Sequence, residues 1–268
     1  QSSPPMHFEF FSAVDTGRAR SNNEDAVAVD DEVALAVLAD GMGGYNAGEV
    51  ASAMLTSYIS AELGRWLREA RAQASDADVR RACELCVAKA NRAIFDAASS
   101  HAHLAGMGTT LVLAVFLEGR LLLGHVGDSR AYRLRHGHLT QITRDHSLLQ
   151  EQLDAGLITA EEAARSLNKN LVTRAVGVEE QVEMEAHLHP TLGDDLYLLC
   201  SDGLSDMVDE RRMEQLLLAN DTLDGAVRAL VAAANDAGGR DNIAVVLVRV
   251  LQPAPGGAAA RSWWPFRR

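Results

Sequence analysis

The sequence contains little cysteine and little proline, and both shortages limit what the protein can be. Three cysteines among 268 residues are too few, and odd in number, for the disulfide framework of a small secreted domain. Cys83 and Cys86 have the spacing of a zinc or redox motif, but they lack a second pair and lie in a helix-like stretch, so we interpret them as packed thiols. Of the six prolines, only Pro190 interrupts the body, which predicts one compact unit without an internal linker.

Positive charge and long apolar runs are also scarce. The 25 Lys and Arg residues stand against 37 Asp and Glu residues, a net charge of −12, whereas nucleic-acid binding needs clustered cations that displace counterions. No apolar run reaches the ~18 residues of a membrane span, and the opening QSSPPMHFEF lacks the charged and apolar regions of a signal peptide. We therefore expect a cytoplasmic monomer that neither binds nucleic acid nor spans a membrane.

The sequence does have enough apolar residues, 47%, to bury a substantial core. Its predicted strands come in clusters, and its predicted helices come in pairs between the clusters. This is not the strict alternation of a parallel β-α-β sheet, so the pattern predicts an α+β fold with mainly antiparallel strands covered by helices. The predicted strands are Phe8–Val14, Ala26–Val29, Val33–Ala39, Thr110–Leu117, Leu121–His125, Ala131–Leu134, Val182–His187, Leu196–Cys200 and Ile243–Val250, and the predicted helices are Ala47–Arg68, Asp76–Ala98, Arg211–Ala219 and Leu223–Ala234.

Two segments differ from this pattern. Residues 147–170 contain short helical pieces, an interior glycine, a new helix start at Thr159 and a weak apolar stripe, which predicts a small helical appendage packed on the domain. The body then covers residues 6–251, and residues 252–268 form an Ala/Gly/Pro-rich tail that ends RSWWPFRR. We interpret the tail as a frayed or self-packed end, with docking on a membrane surface or a partner as the alternative.

Four aspartates lie at the ends of apolar runs. Asp40 follows VALAVLA, Asp128 follows LLLGHVG, Asp202 follows LYLLCS, and Asp241 precedes IAVVLV. At the ends of buried strands these carboxylates would repel one another strongly unless cations lie among them. Carboxylate and carbonyl oxygens are the ligands that Mg²⁺ and Mn²⁺ prefer, and adjacent glycines let a carbonyl approach the ion. The sequence therefore predicts a divalent metal site.

An arginine-containing segment adds a second kind of chemistry. In TGRARSNNED, residues 16–25, two arginines precede a Glu–Asp pair. A planar guanidinium group matches the oxygens of a phosphate group and binds two of them at once. Metal ions together with arginine indicate phosphoryl chemistry.

These segments resemble the signature motifs of the metal-dependent protein serine/threonine phosphatases of the 2C type, in their bacterial branch. The resemblance covers about residues 8–250. The matching motifs are GRARSNNED (17–25), ADGMGG (39–44), GTT (108–110), GDSR (127–130), NLVTRAVG (170–177), CSDGLSD (200–206) and GGRDNIAVV (238–246). The resemblance implies a central antiparallel β-sandwich flanked by pairs of α-helices, in α-β-β-α layers, with residues 147–170 as a small helical flap beside the active site.

The resemblance also assigns roles by motif position. It implies two Mn²⁺ or Mg²⁺ ions per active site, bridged by Asp40, and a third, weaker ion held by Asp128 with Asp202. Arg20 would bind the phosphate group of the substrate, so that Arg20 and Asp40 are the implied catalytic residues. The implied metal ligands are Asp25, Asp40, the carbonyl of Gly41, Asp128, Asp202 and Asp241, with Glu24 as the alternative to Asp25.

The implied activity is hydrolysis of phosphoserine and phosphothreonine in proteins by a metal-activated water that attacks phosphorus in line. Its partners would be phosphorylated proteins, including a cognate bacterial Ser/Thr kinase whose action it reverses. Many eukaryotic relatives have histidine, a candidate proton donor, where this chain has Met42. Because methionine cannot donate a proton, a metal-bound water or His146 is left as the donor.

Neighbouring residues are expected to support the site. We expect Thr109 and Thr110 to hydrogen-bond the metal loops and Arg130 to form an ion pair that braces its loop. Arg174 either contacts the substrate or pairs with an acidic neighbour. Two competing hypotheses are a catalytically silent protein that binds phosphoproteins, which the intact carboxylate set disfavours, and a metal-dependent nuclease, which the negative charge disfavours.

Overall fold

The computed structural model of the chain describes residues 7–167, 169 and 171–252. These residues form eleven strands, seven α-helices and one short 3-10 helix, Ala102–Leu104. The strands are β1 (His7–Asp15), β2 (Asp25–Asp30), β3 (Leu35–Met42), β4 (Gly108–Thr109), β5 (Leu111–Leu117), β6 (Arg120–Val126), β7 (Arg130–Arg135), β8 (His138–Gln141), β9 (Glu185–Pro190), β10 (Leu196–Cys200) and β11 (Ile243–Leu251). The helices are α1 (Ala47–Ala70), α2 (Asp76–Ser100), α3 (Leu148–Asp154), α4 (Ala160–Arg165), α5 (Asp202–Ser205), α6 (Glu210–Leu218) and α7 (Leu223–Asp236).

The strands form two antiparallel sheets that pack face to face. One sheet has the order β1-β11-β10-β7-β8, and the other has the order β2-β3-β5-β6-β9 with β4 paired to the end of β3. A buried cluster that includes Phe116, Tyr197 and Val246 fills the space between the sheets. A second cluster joins the outer face of one sheet to α1 and α2, and a third joins the other sheet to α6 and α7. These α-β-β-α layers confirm the predicted fold class.

The four layers explain the sequence patterns. Every residue of β5 is buried, because one face of this strand packs on helices and the other on the second sheet. In α7 the buried residues Leu223, Val227, Leu230 and Ala234 recur at helical spacing, which places one face on the sheet. Among the described residues, no helix combines the length and the apolar character needed to cross a bilayer.

Two edge strands differ from the predicted strands. β8 is absent from the prediction because its four residues, HLTQ, are exposed or half-buried and form no apolar run. The predicted strand Val182–His187 is displaced, since the segment that pairs with β6 is Glu185–Pro190. Apolar and polar residues alternate through both the predicted and the observed range, so the alternation does not show where the strand begins or ends. Pro190 ends this strand at the edge of its sheet, where its missing N–H removes no ladder bond.

Residues 147–170 contain the two short helices α3 and α4, whose first turns are capped by the side chains of Ser147 and Thr159. Thr159 forms a capping box, which confirms the predicted helix start. Of these two helices only Ala163 is buried, so the segment adds little to the core. The assignment of residues 147–170 as a flap within the domain stays a prediction. Met6 and the tail after Gln252 lie outside the described residues.

Phe116 should be among the most important residues for stability. Its ring is fully buried between the sheets, with its centroid 5.1 Å from that of Phe8 and 5.4 Å from that of Tyr197. We expect Phe116→Ala to lower the free energy of unfolding by about 3–5 kcal/mol, because it leaves a cavity there. Urea-induced unfolding measures the change. Leu157→Ala is the control, since the Leu157 side chain is 74% exposed, and equal effects of the two substitutions would contradict the described packing.

Candidate active site

Five aspartates meet at one end of the sandwich. Asp40, near the end of β3, lies directly opposite Asp25, the first residue of β2. Asp128 follows β6, Asp202 follows β10, and Asp241 lies two residues before β11. Because the strands are antiparallel, these starts and ends fall at the same edge of the sheets, and the carboxylates influence one another electrostatically. The structure therefore brings together the aspartates that the sequence singled out.

Two glycines permit the close backbone contacts at this end of the sandwich. A Cβ atom on Gly41 would lie 1.9 Å from the carbonyl oxygen of Gly48, at the start of α1. A Cβ atom on Gly203 would lie 1.8 Å from the carbonyl oxygen of Asn242, which precedes β11. A side chain at Gly203 would push apart the segments that carry Asp202 and Asp241, and a side chain at Gly41 would push the Asp40 loop away from α1.

Two threonines hold the Asp40 loop in the predicted way. The Thr110 hydroxyl accepts a hydrogen bond from the N–H of Asp40 (3.0 Å), and the Thr109 hydroxyl donates to the carbonyl of Asp40 (3.1 Å). Thr110 also shares a hydrogen bond with Ser129 (2.7 Å), the residue after Asp128. One buried network thus fixes the backbone around two of the carboxylates.

Sequence reasoning missed two buried polar residues that position the site. The Ser201 hydroxyl donates to Oδ2 of Asp25 (2.7 Å) and accepts from a backbone N–H of β11 (2.9 Å). Oδ1 of Asn242 accepts from the N–H of Glu24 (2.9 Å), and its amide donates to two carbonyls of the loop before β2 (2.9 and 2.8 Å). Each residue is adjacent in sequence to an aspartate of the cluster, and this position was the one sign in the sequence that it could belong to the site. Asn242 ties the Arg20-containing loop to the Asp241 loop.

Burial raises the pKa of four carboxyl groups of the cluster, those of Asp25, Asp40, Asp128 and Asp202. The pKa values of Asp40 and Asp202 lie well above the usual range, first because burial and then because neighbouring carboxylates disfavour the charged form. Burial also raises the pKa of Asp25 to about 7 and that of Asp128 to about 6. The protein alone supplies too little positive charge to keep the cluster ionised.

Two carboxylate oxygens of the cluster, Oδ1 of Asp25 and Oδ1 of Asp202, are buried without a hydrogen-bond partner. Such atoms are costly unless a ligand satisfies them. Mg²⁺ and Mn²⁺ take carboxylate oxygens and would offset the repulsion, so the residues present fit such ions. Glu24 is half-buried beside the cluster. Asp25, unlike Glu24, lies directly opposite Asp40 and carries a buried oxygen without a hydrogen-bond partner.

Arg20 lies at the rim of the carboxylate cluster. One of its terminal nitrogens is 3.3 Å from Oδ2 of Asp241, while 52% of its side chain is exposed. The guanidinium group is therefore held close to the aspartates and also faces solvent, from which a phosphate group would arrive. The Arg174 guanidinium group donates to the backbone carbonyl of Glu183 (3.1 Å) and forms no ion pair with an acidic side chain of the described residues.

His146 does not face the aspartates. Its Nδ1 accepts from the N–H of Gly127 (3.0 Å), and its Nε2 lies 3.0 Å from Oε2 of Glu185. Its ring stacks on His125, with an interplanar angle of 12°. Within the part of the chain that the structure describes, His125, His146 and Glu185 are close enough together to hold a metal ion. However, both ring nitrogens of His146 already have partners, and Nε2 of His125 lies 2.7 Å from the carbonyl oxygen of Arg144, so we interpret the group as a structural support.

The remaining expectations about neighbouring residues are confirmed. The Arg130 guanidinium group donates to both carboxylate oxygens of Asp145 (2.9 and 2.7 Å), which braces the loop after Asp128. All three cysteines are free and buried. Burial raises the pKa of the Cys200 thiol to about 12, so this residue is a core side chain and has no thiolate to offer as a nucleophile.

Comparison with known proteins identifies this arrangement. The family described as Protein phosphatase 2C matches residues 17–242, a range that includes every aspartate of the cluster. This chain belongs to the protein phosphatase 2C family. The phosphatase is 40% identical over 246 residues to the serine/threonine phosphatase stp of Listeria monocytogenes, which covers 91% of this chain and 95% of that protein. It is thus a protein serine/threonine phosphatase, as the motifs predicted.

Solved structures agree with this assignment. The crystal structure of the Mycobacterium tuberculosis serine/threonine phosphatase PstP/Ppp matches the phosphatase with a TM-score of 0.80 and 37% identity, over 91% of this chain and 99% of that chain. A structure of the PstP catalytic domain in complex with two manganese ions matches with a TM-score of 0.80 and 36% identity, over 92% of this chain and 99% of that chain.

Without metal, the phosphatase should lose stability as the pH rises. The pKa of Asp25 is about 7 in the folded protein and ~3.9 in an unfolded chain. Between these values the folded state binds more protons than the unfolded state, so the free energy of unfolding falls from about pH 4 to about pH 7. We expect Asp25→Asn to raise the stability of chelator-treated protein at pH 8 by at least about 1 kcal/mol, measured by urea unfolding.

Two further measurements make this prediction specific. Asp31→Asn, at an exposed aspartate, makes the same chemical change outside the cluster and should leave the pH dependence unaltered. Added Mn²⁺ should stabilise the wild type more than Asp25→Asn. A wild-type protein whose stability in chelator does not change between pH 5 and pH 8 would contradict the description of the cluster.

Proposed function

We propose that this phosphatase hydrolyses phosphoserine and phosphothreonine in proteins with two Mn²⁺ or Mg²⁺ ions in its active site. The observation that carries the proposal is the group of buried and half-buried aspartates, in which Asp25 and Asp202 each have a buried oxygen without a hydrogen-bond partner. The two manganese ions in the PstP catalytic domain support it. Residues 6–251 would carry the activity, with residues 147–170 as the flap. A cognate Ser/Thr kinase is a proposed partner, since the reaction reverses kinase action.

Each predicted ligand has a place in this proposal. By motif position Asp40 would be a ligand of both main ions, and the electrostatic influence of Asp25, Asp128 and Asp202 on its carboxyl group supports this. Asp128 with Asp202 would hold a third, weaker ion. The two main ions would be held by Asp25, Asp40, the carbonyl of Gly41, Asp202 and Asp241, with Glu24 as the alternative to Asp25. When bound, such ions generate a nucleophile from water at neutral pH and neutralise charge on phosphoryl oxygens.

The protein itself would bind and orient the phosphate group. Arg20 would donate two parallel hydrogen bonds to phosphate oxygens, and its contact with Asp241 holds the guanidinium group at the rim before the substrate arrives. Proton donation to the leaving alkoxide has no side-chain candidate in Met42 or in His146, whose ring nitrogens are both engaged. Water in the site is therefore the proposed proton source.

Replacing Asp40 tests the proposal most directly. We expect chelator-stripped wild-type protein to hydrolyse a phosphothreonine peptide only after Mn²⁺ is added. Asp40→Asn should lower kcat at least about a hundredfold, because a group at the centre of the charged cluster is lost. Circular dichroism checks that the variant is folded, and Asp31→Asn is the matched control. Near-normal turnover by Asp40→Asn would refute the site assignment.

Replacing Arg20 tests the phosphate-binding role. We expect Arg20→Ala to raise KM for the same peptide about tenfold with a smaller change in kcat, because it removes a substrate contact present before the reaction. Arg20→Lys should recover only part of the loss, since an ammonium group cannot bind two oxygens in a planar fork. Arg18→Ala, two residues away, is the control. An unchanged KM for Arg20→Ala would remove Arg20 from this role.

A further inference from the structure

A cavity of about 600 Å³ lies beside the end of β3, the strand that carries Asp40. On one side it is lined by Met42, the last residue of β3, two positions after Asp40. On the other side it is lined by segments of residues 172–183, which follow the predicted flap. A side chain that neighbours the phosphorylated residue of a bound protein substrate would therefore lie close to this cavity.

The wall formed by residues 172–183 is fixed in place. Val176 exchanges two backbone hydrogen bonds with Thr109 of β4 (3.0 and 2.8 Å), and β4 pairs with the end of β3. The buried side chain of Asn91 on α2 accepts from the N–H of Gly177 (2.6 Å) and donates to the carbonyls of Glu179 (3.0 Å) and Glu180 (3.1 Å). The turn that carries Glu179 is thus held by both β4 and α2, and the cavity is largely preformed.

The lining combines an apolar floor with two carboxylates. Met42, Val178 and Val182 supply apolar surface, and Glu179 and Glu183 supply exposed acidic side chains. Neither carboxylate takes part in an ion pair among the described residues, whereas Glu180, between them in sequence, pairs with Arg92 on α2 at 2.6 Å. Two unpaired carboxylates beside aliphatic surface match the side chain of arginine or lysine, which has an aliphatic stem and a cationic end.

The wall of the cavity also contains one cationic side chain, which offsets part of the negative charge of the two glutamates. Arg174 also lines the cavity, but its guanidinium group donates to the backbone carbonyl of Glu183. The lining therefore retains one excess negative charge, in a protein whose net charge is −12. The local charge and the overall charge both favour a cationic occupant.

We propose that this cavity is a substrate subsite that takes the side chain of an arginine or lysine flanking the phosphorylated residue. The aliphatic stem packs on Met42 and the valines, and the cationic end lies between Glu179 and Glu183. This rests on the proposed function, since it assigns the sequence preference of the same active site. The phosphatase then acts preferentially on phosphorylated sites of basic proteins or basic segments.

The test compares three phosphothreonine peptides that differ at one position, which carries arginine, alanine or leucine. The position is moved through the three residues on each side of the phosphothreonine, and kcat/KM is measured with Mn²⁺. At one or more positions we expect the arginine peptide to be hydrolysed about fivefold better than the alanine peptide, in keeping with two partly exposed ion pairs. The preference should shrink in 1 M salt, where the Debye length is about 3 Å.

Variants connect the preference to the cavity. In Glu179→Gln/Glu183→Gln the ratio of kcat/KM for the arginine and alanine peptides should fall to about one. In Glu179→Lys/Glu183→Lys a peptide with glutamate at the same position should become the better substrate. Glu180→Gln changes a carboxylate of the same turn that points to Arg92, and it should keep the wild-type ratio.

The outcomes separate the subsite from the proposed function. Metal-dependent hydrolysis of para-nitrophenyl phosphate by the wild type shows the phosphatase activity without any flanking residue, and its absence would overturn the proposed function. Turnover of this compound with equal rates for arginine and alanine peptides would overturn the subsite alone. A preference for leucine, or an arginine preference that survives in both double variants, would also overturn it.

Discussion

The main constraint on this structure is the mutual repulsion of the carboxylates that the fold places at one end of its sandwich. Asp25, Asp40, Asp128, Asp202 and Asp241 come from different segments of the chain, and burial raises the pKa of four of them. A fold selected for stability alone would place polar amides or apolar residues there. The cost is acceptable only if divalent cations occupy the site in the working protein. Much of the surrounding structure keeps these groups together against their repulsion.

The same constraint governs substrate binding. A phosphate ester is an anion, and it has to approach an acidic end of an acidic protein. Among the described residues, Arg20 is the one cationic side chain that forms an ion pair with an aspartate of the cluster, Asp241. Without cations at the site, the electrostatic field of the carboxylates would repel such an anion.

The sequence predicts those parts of the fold and of the site that leave a distinct residue pattern. The buried strands produce apolar runs, and the aspartates were visible because an acidic residue at the end of such a run is unusual. β8 was invisible because an edge strand such as HLTQ needs no apolar run. Ser201 and Asn242 were missed because a polar residue beside a loop aspartate has many possible partners. Only the folded chain shows that Ser201 meets Asp25, which lies 176 positions away in the sequence.

The base of the segment between His146 and Thr173 has a consequence for how this fold can diversify. Backbone hydrogen bonds join Leu148 to Leu171 and Thr173 to His146, so the two ends of the segment are tied to each other. His146 is in turn fixed to Gly127, beside Asp128. A loop closed at its base can change length at small entropic cost, since the penalty grows only with the logarithm of the number of residues. Insertions and deletions within the segment can therefore be accommodated without disturbing the hydrogen bonds at its base or the contact of His146 with Gly127.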